Sequence, residues 1–330
     1  MVDMYDPIKV NRDYNEARKR IFNSYLSDKD IQKRLDDLYS EAKEKIDARI
    51  NEAYLRFANR ENISLSDVKK LADKMDVEKF KDRARLAVQR KDFTPRTNQW
   101  LKVYNLKARV NRLELIKAEI DLELNQLYNG VDEFIHGYLI EEGFRELERG
   151  TATVGNVGFA TEINMEKIVS MDFLGKNFSE RIWGKNGHYD NHQKEIFKSL
   201  SNIFTHMDGY NKEVKRLSNL FEITNSKVMT LVRTEVSRVT SQVDYESLTQ
   251  NEFTHYMYVT EPHHCEICNK LDRKVFRIED WEMGVTAKPM HPNCRCDFIG
   301  IVKVEGSKFN YTVANKDRVI KSIKNASKKE

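Results

Sequence analysis

The first 129 residues contain no glycine; all 13 glycines of this 330-residue chain lie at Gly130 or beyond. Proline is also scarce, with only Pro7, Pro95, Pro262, Pro289 and Pro292. Both residue types interrupt helices, so their absence from 8–94 leaves room for long ones. No stretch approaches the roughly 18 consecutive apolar residues of a membrane-spanning helix. The start, Met1-Val2-Asp3-Met4-Tyr5-Asp6-Pro7, lacks the apolar centre of a secretory leader, and none is expected. The four cysteines are confined to 265–296, which does not suit a disulfide-stapled secreted domain. A reducing, cytosolic folding environment suits them better. Net charge is only +4 although 33% of residues are charged, so bulk charge does not argue for nucleic acid. With 40% apolar residues the chain is not expected to be disordered throughout.

Periodicity fills the glycine-free stretch. Ser27-Asp28-Lys29-Asp30 reads as a helix N-cap. After it Ile31, Leu35, Leu38, Ala42, Ile46, Ile50, Ala53 and Phe57 recur at steps of three and four, which predicts one long amphipathic helix. A second run, Leu106, Leu113, Ile116, Ile120, Leu124 and Leu127, is expected to end before Gly130. A third, Val131, Phe134, Ile135, Tyr138, Leu139 and Leu147, is expected to end at Gly150. A shorter helix is expected from Ser66. Thr151 to Gly158 reads as a loop. Helical patterning returns over 189–250. Three short strands are then expected, around Tyr256–Thr260, Val275–Ile278 and Phe298–Val302. The predicted fold is mainly α with a small C-terminal α+β domain. Its divisions are an elongated helical bundle over 1–150, a connecting segment over 151–188, an α+β domain over 189–302 and a basic tail over 303–330.

The cysteines read Cys265-Glu266-Ile267-Cys268, then 25 residues, then Cys294-Arg295-Cys296. A C-x-x-C turn lets two thiolates converge on one ion, and four such donors close a tetrahedral zinc shell. His291 is the alternative ligand, since His291 with Cys294 makes an equally reasonable second pair. A structural zinc would pin strands that have little core of their own. The rival readings are reduced thiols packed on one another, and a redox-active C-x-x-C, for which the usual helix N-terminus is not marked here.

Other patterns carry weaker chemistry. Residues 85–118 hold nine basic residues, Arg85, Arg90, Lys91, Arg96, Lys102, Lys107, Arg109, Arg112 and Lys117, against Asp92 and Glu114. Trp100 and Tyr104 are interleaved. Such a strip can follow a phosphate backbone without reading sequence, or it can be a solvated face matched to an acidic protein surface. The tail, with Lys316, Arg318, Lys321, Lys324, Lys328 and Lys329, is a second candidate for either role. His188 and His192 have metal-like spacing, but Tyr189 stands where a zincin has Glu, and a solvated or capping role is expected. No Walker-type loop, G-x-G-x-x-G or G-x-S-x-G is present.

Three motifs in order resemble one family. His291-Pro292-Asn293-Cys294-Arg295-Cys296, preceded by Cys265-x-x-Cys268-x-x-Leu271, is similar to the C-terminal signature of phage minor head proteins of the Mu F-like, SPP1-type head-morphogenesis group. Arg233-Thr234-Glu235 resembles that family's Arg-Thr-Glu helix. Ser179, Arg181 and Trp183 fall in a segment resembling its Ser-x-Arg-Ile-Trp element. The resemblance implies a minor capsid protein at the portal vertex inside the head, present in the host cytoplasm during assembly, and not an enzyme. The implied partners are the portal protein, the major capsid or scaffolding protein, and phage DNA through nonspecific contact or a role in packaging or ejection. No membrane and no small-molecule substrate is implied. Arg273 departs from the glycine that many relatives carry after Leu-Asp, so the turn after the C-x-x-C is an open point.

Residue chemistry adds expectations for these motifs. Arg233 and Glu235, two apart on a helix, point to different faces, and a buried structural pair or cap is expected rather than a catalytic Glu. The Trp183 indole is expected to anchor the helical part to the C-terminal part, with a partner for its N–H. The rival function is a zinc-dependent nuclease using His263, His264 and His291 beside the cysteines.

Overall fold

A computed structural model describes residues 7–61, 110–154, 164–203, 210–261, 265–301 and 312–326. Its helices are α1 (Pro7–Glu61), α2 (Val110–Val154), α3 (Met165–Val169), α4 (Phe178–Trp183), α5 (His188–Ser201) and α6 (Tyr210–Gln250). After these come β1 (His255–Val259), α7 (Glu266–Asn269), β2 (Val275–Arg277), β3 (Asp297–Ile301) and α8 (Lys316–Ala326). The fold is mainly helical with a small C-terminal antiparallel sheet, as expected. No helix of the described residues is long and apolar enough to cross a membrane.

The chain forms two compact units. The first combines Met1–Arg34, Glu133–Phe178 and Lys227–Glu330, and the second Leu35–Asp132 and Ser179–Ser226. The divisions fall inside α1, α2 and α6, so each long helix contributes residues to both.

The first unit is organised by the sheet, in the order β2-β1-β3, with Tyr256 opposite Phe276 on one side and Gly300 on the other. Aromatic and β-branched residues populate the strands, as their shapes favour. Both faces are buried. Tyr256, Tyr258, Phe276 and Phe298 face a core with Cys268, Cys294, Cys296 and Val319 of α8. Met257, Val259, Val275, Ile299 and Ile301 face Val10, Tyr14, Ala17 and Ile21 of α1. The helix therefore covers one side of the sheet while the cysteine loops and α8 cover the other. Within the basic tail, α8 is a helix, anchored by the buried Val319.

The second unit buries Leu35, Tyr39, Ala42, Ile46 and Ile50 of α1 with Ile120, Leu124, Leu127 and Tyr128 of α2. Tyr39 lies at its aromatic centre, stacked on His192 and edge-on to Tyr128 and Phe221.

Three expectations need correction. No helix starts at Ser27–Asp30: α1 is already helical from Pro7. The cap-type side chains are used otherwise. Ser24 and Ser27 donate back to the carbonyls of Ile21 and Ser24, and Asp28 binds distant arginines. Nor do helices end at Gly130 or Gly150, because α2 continues to Val154 and takes in the expected loop as far as that residue. These glycines serve close approach instead. A Cβ on Gly130 would lie 3.2 Å from Leu38 Cδ2, and one on Gly150 would lie 3.0 Å from Ser247 Oγ. The expected short helix from Ser66 falls outside the described residues.

Candidate functional site

In the first unit, the Arg-Thr-Glu helix and the Pro-Asn-Cys-Arg-Cys loop are joined by Asn293. Its backbone N–H donates to Thr234 Oγ1 at 3.1 Å, and Thr234 in turn donates to the Thr230 carbonyl at 2.7 Å. Asn293 has φ +64°, a left-handed conformation that asparagine tolerates better than most residues. Its side-chain oxygen lies 3.5 Å from Arg233 Nη1. Pro292 is exposed beside it.

Asp28 of α1 ties the same region down. Arg233 Nε donates to its carboxylate at 3.0 Å, and Arg295 Nη2 donates to the same oxygen. Arg295 also donates to Ser24 Oγ and lies over the Tyr25 ring, 4.3 Å from its centre. Glu235 faces away from Arg233, as its spacing predicts, and both it and Arg238 are 1% exposed. Arg238 Nε donates to Glu235 at 2.6 Å, and its two terminal nitrogens donate to the carbonyls of Ile168 and Val169 at the end of α3. Every arm of this buried guanidinium is thereby used. Arg238 was not singled out in the sequence, although its i+3 spacing from Glu235 is a usable signal.

A second buried ion cluster underlies the loop. Lys288 Nζ lies 3.1 Å from Asp244 and 3.2 Å from Asp297, and Arg20 reaches Asp297 at 2.8 Å. Burial opposes charge on Asp297, but Arg20 and Lys288 outweigh it and bring the carboxyl down to about 2. Burial wins at Asp244, whose carboxyl is raised well above its ordinary value.

The cysteines lie above the aromatic face of the sheet, all four of them free thiols. Cys265 caps α7, its Sγ accepting the Cys268 N–H at 3.5 Å. Two three-donor groups share Cys268: Cys265, Cys268 and His291 in one, Cys268, Cys294 and Cys296 in the other. Within each group the donor atoms lie within 4.8 Å of one another. His291 Nδ1 lies 2.8 Å from the Pro292 carbonyl, which leaves Nε2 facing Cys268 Sγ at 3.2 Å. A metal-bound histidine characteristically donates its other ring N–H to such an acceptor. Hydrogen bonds from the Cys268 and Cys296 thiols hold Cys294 well below the ordinary thiol value. The donor set, soft thiols plus one imidazole, has the chemistry that zinc prefers.

The turn after the C-x-x-C places a non-glycine residue in the left-handed region. Arg273 has φ +57°, and its guanidinium lies 3.9 Å from the centre of the Tyr14 ring. The preceding Asp272 accepts from the Thr260 N–H, the Thr260 hydroxyl and the Tyr14 hydroxyl.

Residues 195–299 match the family model of phage Mu protein F like protein. This segment is a Mu F-like domain. The Mu F-like match takes in Arg233, Thr234, Glu235, all four cysteines, His291, Pro292 and Asn293, and its family points to a structural role in phage head morphogenesis. Neither the curated proteins nor the solved structures gave a significant match.

Ser179, Arg181 and Trp183 precede the Mu F-like segment, on α4. Ser179 is exposed and Arg181 half-buried. Trp183 Nε1 donates to Asp132 of α2 at 2.9 Å, and its ring packs on Tyr128 and Tyr189. Its partners are residues of the second unit, Asp132 and Tyr128 from the 1–150 helical part and Tyr189 at the start of the 189–302 segment. His192 corrects another expectation: it is buried, with Nδ1 3.1 Å from the Tyr128 hydroxyl, because the apolar face of α5 carries it inward. Arg85, Arg90, Lys91, Arg96, Lys102, Lys107 and Arg109 lie outside the described residues, as do His263, His264, Lys328 and Lys329. Arg112 and Lys324 are placed only as helical positions. Lys321 is exposed on α8, and Lys316 pairs with Glu282 at 2.8 Å.

Proposed function

We propose that the protein is a structural minor component of the phage head, docked at the portal vertex on the head interior, and not an enzyme. The observation that carries this is the mutual locking of the two Mu F-like motifs through Asn293. Their chemistry-bearing groups bind each other: Thr234 holds the Asn293 N–H, Arg233 and Arg295 hold Asp28, and Glu235 holds Arg238. Side chains arranged this way stiffen a docking module. The partners are the portal protein and the major capsid or scaffolding protein, met first in the host cytoplasm. Basic residues of α8 and the 85–118 strip supply nonspecific contact with phage DNA during packaging or ejection.

A zinc ion held by Cys268 with three of Cys265, Cys294, Cys296 and His291 would stabilise the short-stranded end of the domain. The convergence of these donors supports this, and bound metal would supply folding free energy there rather than catalysis. In the nuclease alternative His291 would be a general base, but its ring nitrogens face Cys268 and the Pro292 carbonyl.

Quantitative mass spectrometry of purified particles and proheads tests the reading. A few copies per particle, in constant ratio to the portal, are expected. Absence from both, with the protein soluble in the lysate, would overturn it. Metal-dependent plasmid cleavage lost in His291→Ala with zinc retained would establish the nuclease.

A further inference from the structure

Two helices of the first unit present exposed rows of opposite character. On α1, Phe22 is 62% exposed and Leu26 is 57% exposed, one turn apart. A single exposed apolar side chain is ordinary. These two share a row with Lys19, Lys29 and Lys33, all exposed, at steps of three and four. The row therefore has an apolar centre flanked by lysines; Lys19 pairs with the exposed Glu16 at 2.8 Å, Asp30 lies at the margin, and Lys29 and Lys33 make the other end basic.

On α2, Glu133, Gly137, Glu141, Phe144 and Glu148 form a comparable exposed row. Phe144 is 46% exposed. Arg145 beside the row is held by Glu141 and Glu142, so the row keeps a negative balance. A Cβ on Gly137 would meet nothing within 4 Å, which leaves a shallow place on this face where a ring can sit.

We propose that the basic row of α1 docks onto the acidic row of α2 on a second copy of this chain. The lysines would face Glu133, Glu141 and Glu148, and Phe22 and Leu26 would pack over Gly137 and against Phe144. Covering the exposed parts of Phe22 and Leu26 is an apolar gain set against the costs of association. A phosphate backbone offers these side chains no such burial, which favours a protein occupant over nucleic acid. The two rows are different surfaces, so the contact is heterologous. Repeated from copy to copy, it generates a closed ring or an open filament. This inference stands on the exposed rows and does not require the portal reading.

Sedimentation velocity on the full chain, over a concentration series at low and high salt, tests it. Association that weakens with salt is expected. Lys29→Glu with Lys33→Glu on one variant, and Glu133→Lys with Glu148→Lys on another, should each weaken self-association by about tenfold or more. An equimolar mixture of the two should restore it, since each reversed row then meets its reversed partner. Phe22→Ser with Leu26→Ser should give the same loss without changing charge, and circular dichroism checks each variant's helix content. A wild-type chain that stays monomeric throughout would overturn the proposal. So would a mixture that fails to associate, or an α2 variant that associates like wild type. Loss of DNA retention in the α1 variant with unchanged association would assign the basic row to nucleic acid and overturn it as well.

Discussion

The Asn293 backbone N–H donates to Thr234 Oγ1 at 3.1 Å, across 59 residues of sequence. This bond joins the loop that carries Cys294 and Cys296 to the α6 helix, and two predictions follow from it. Thr234→Val keeps the shape and removes the acceptor, at a cost of about 1–2 kcal/mol in chemical denaturation. At Asn293 the left-handed φ separates two substitutions. Asn293→Ala should cost about 1 kcal/mol or more, while Asn293→Gly, losing only the side-chain contact, should cost less. Equal effects of Ala and Gly would rule out backbone conformation as the reason for asparagine.

Arg238 and Glu235 form a fully buried pair whose guanidinium also satisfies two helix-end carbonyls. Arg238→Met removes the guanidinium from the buried Glu235 carboxylate and from the two carbonyls, and should destabilise by about 3–5 kcal/mol. The double variant Glu235→Leu with Arg238→Met should recover part of that loss. A double variant as unstable as the sum of the singles would contradict a coupled pair.

His192 makes stability depend on pH. Burial, reinforced by His188, brings its pKa down from the ordinary 6.5 to about 3. The unfolded imidazole binds a proton near 6.5, and the folded one does so only near 3. Acidification through that window therefore removes stability, by up to about 1.4 kcal/mol per pH unit, and the loss levels off below it. His192→Phe should flatten this part of the profile. The check is denaturant midpoints from neutral pH down to the acid limit, and an unchanged slope in the variant would sink the assignment.

Two glycines of α2 should respond oppositely to alanine. At Gly137 the space is open, so Gly137→Ala should stabilise by about 0.5–1 kcal/mol through helix propensity. At Gly143 the new Cβ would lie 2.2 Å from Met165 Sδ and 3.2 Å from Val239 Cγ1. Gly143→Ala should therefore destabilise by about 1–3 kcal/mol, and paired thermal melts would show the sign of each.

Cys268 is common to both donor groups, so its loss should matter most to a bound metal. Zinc content is expected to be about one per chain and to vanish in Cys268→Ser. A chelator should lower the melting temperature of wild type and leave Cys268→Ser unchanged. Wild-type protein free of metal after expression with zinc would overturn the metal site and leave the packed-thiol and redox readings.

The sequence by itself determined the elements whose signals are local. Helical periodicity, strand propensity and cysteine spacing are properties of neighbouring residues, so the long helices, β1 to β3 and the metal-type cluster were legible, as was the Mu F-like motif order. The side-chain partnerships were not legible, because a short polar residue or a glycine serves several purposes that look alike in sequence. Asp28 has the form of a helix cap, yet it accepts from Arg233, 205 residues away, and from Arg295. Gly130 has the form of a stop, yet it is the point where Leu38 approaches a continuous helix. Only the tertiary structure decided these roles, since it alone brings an arginine within reach of the carboxylate, or a side chain against the bare Cα.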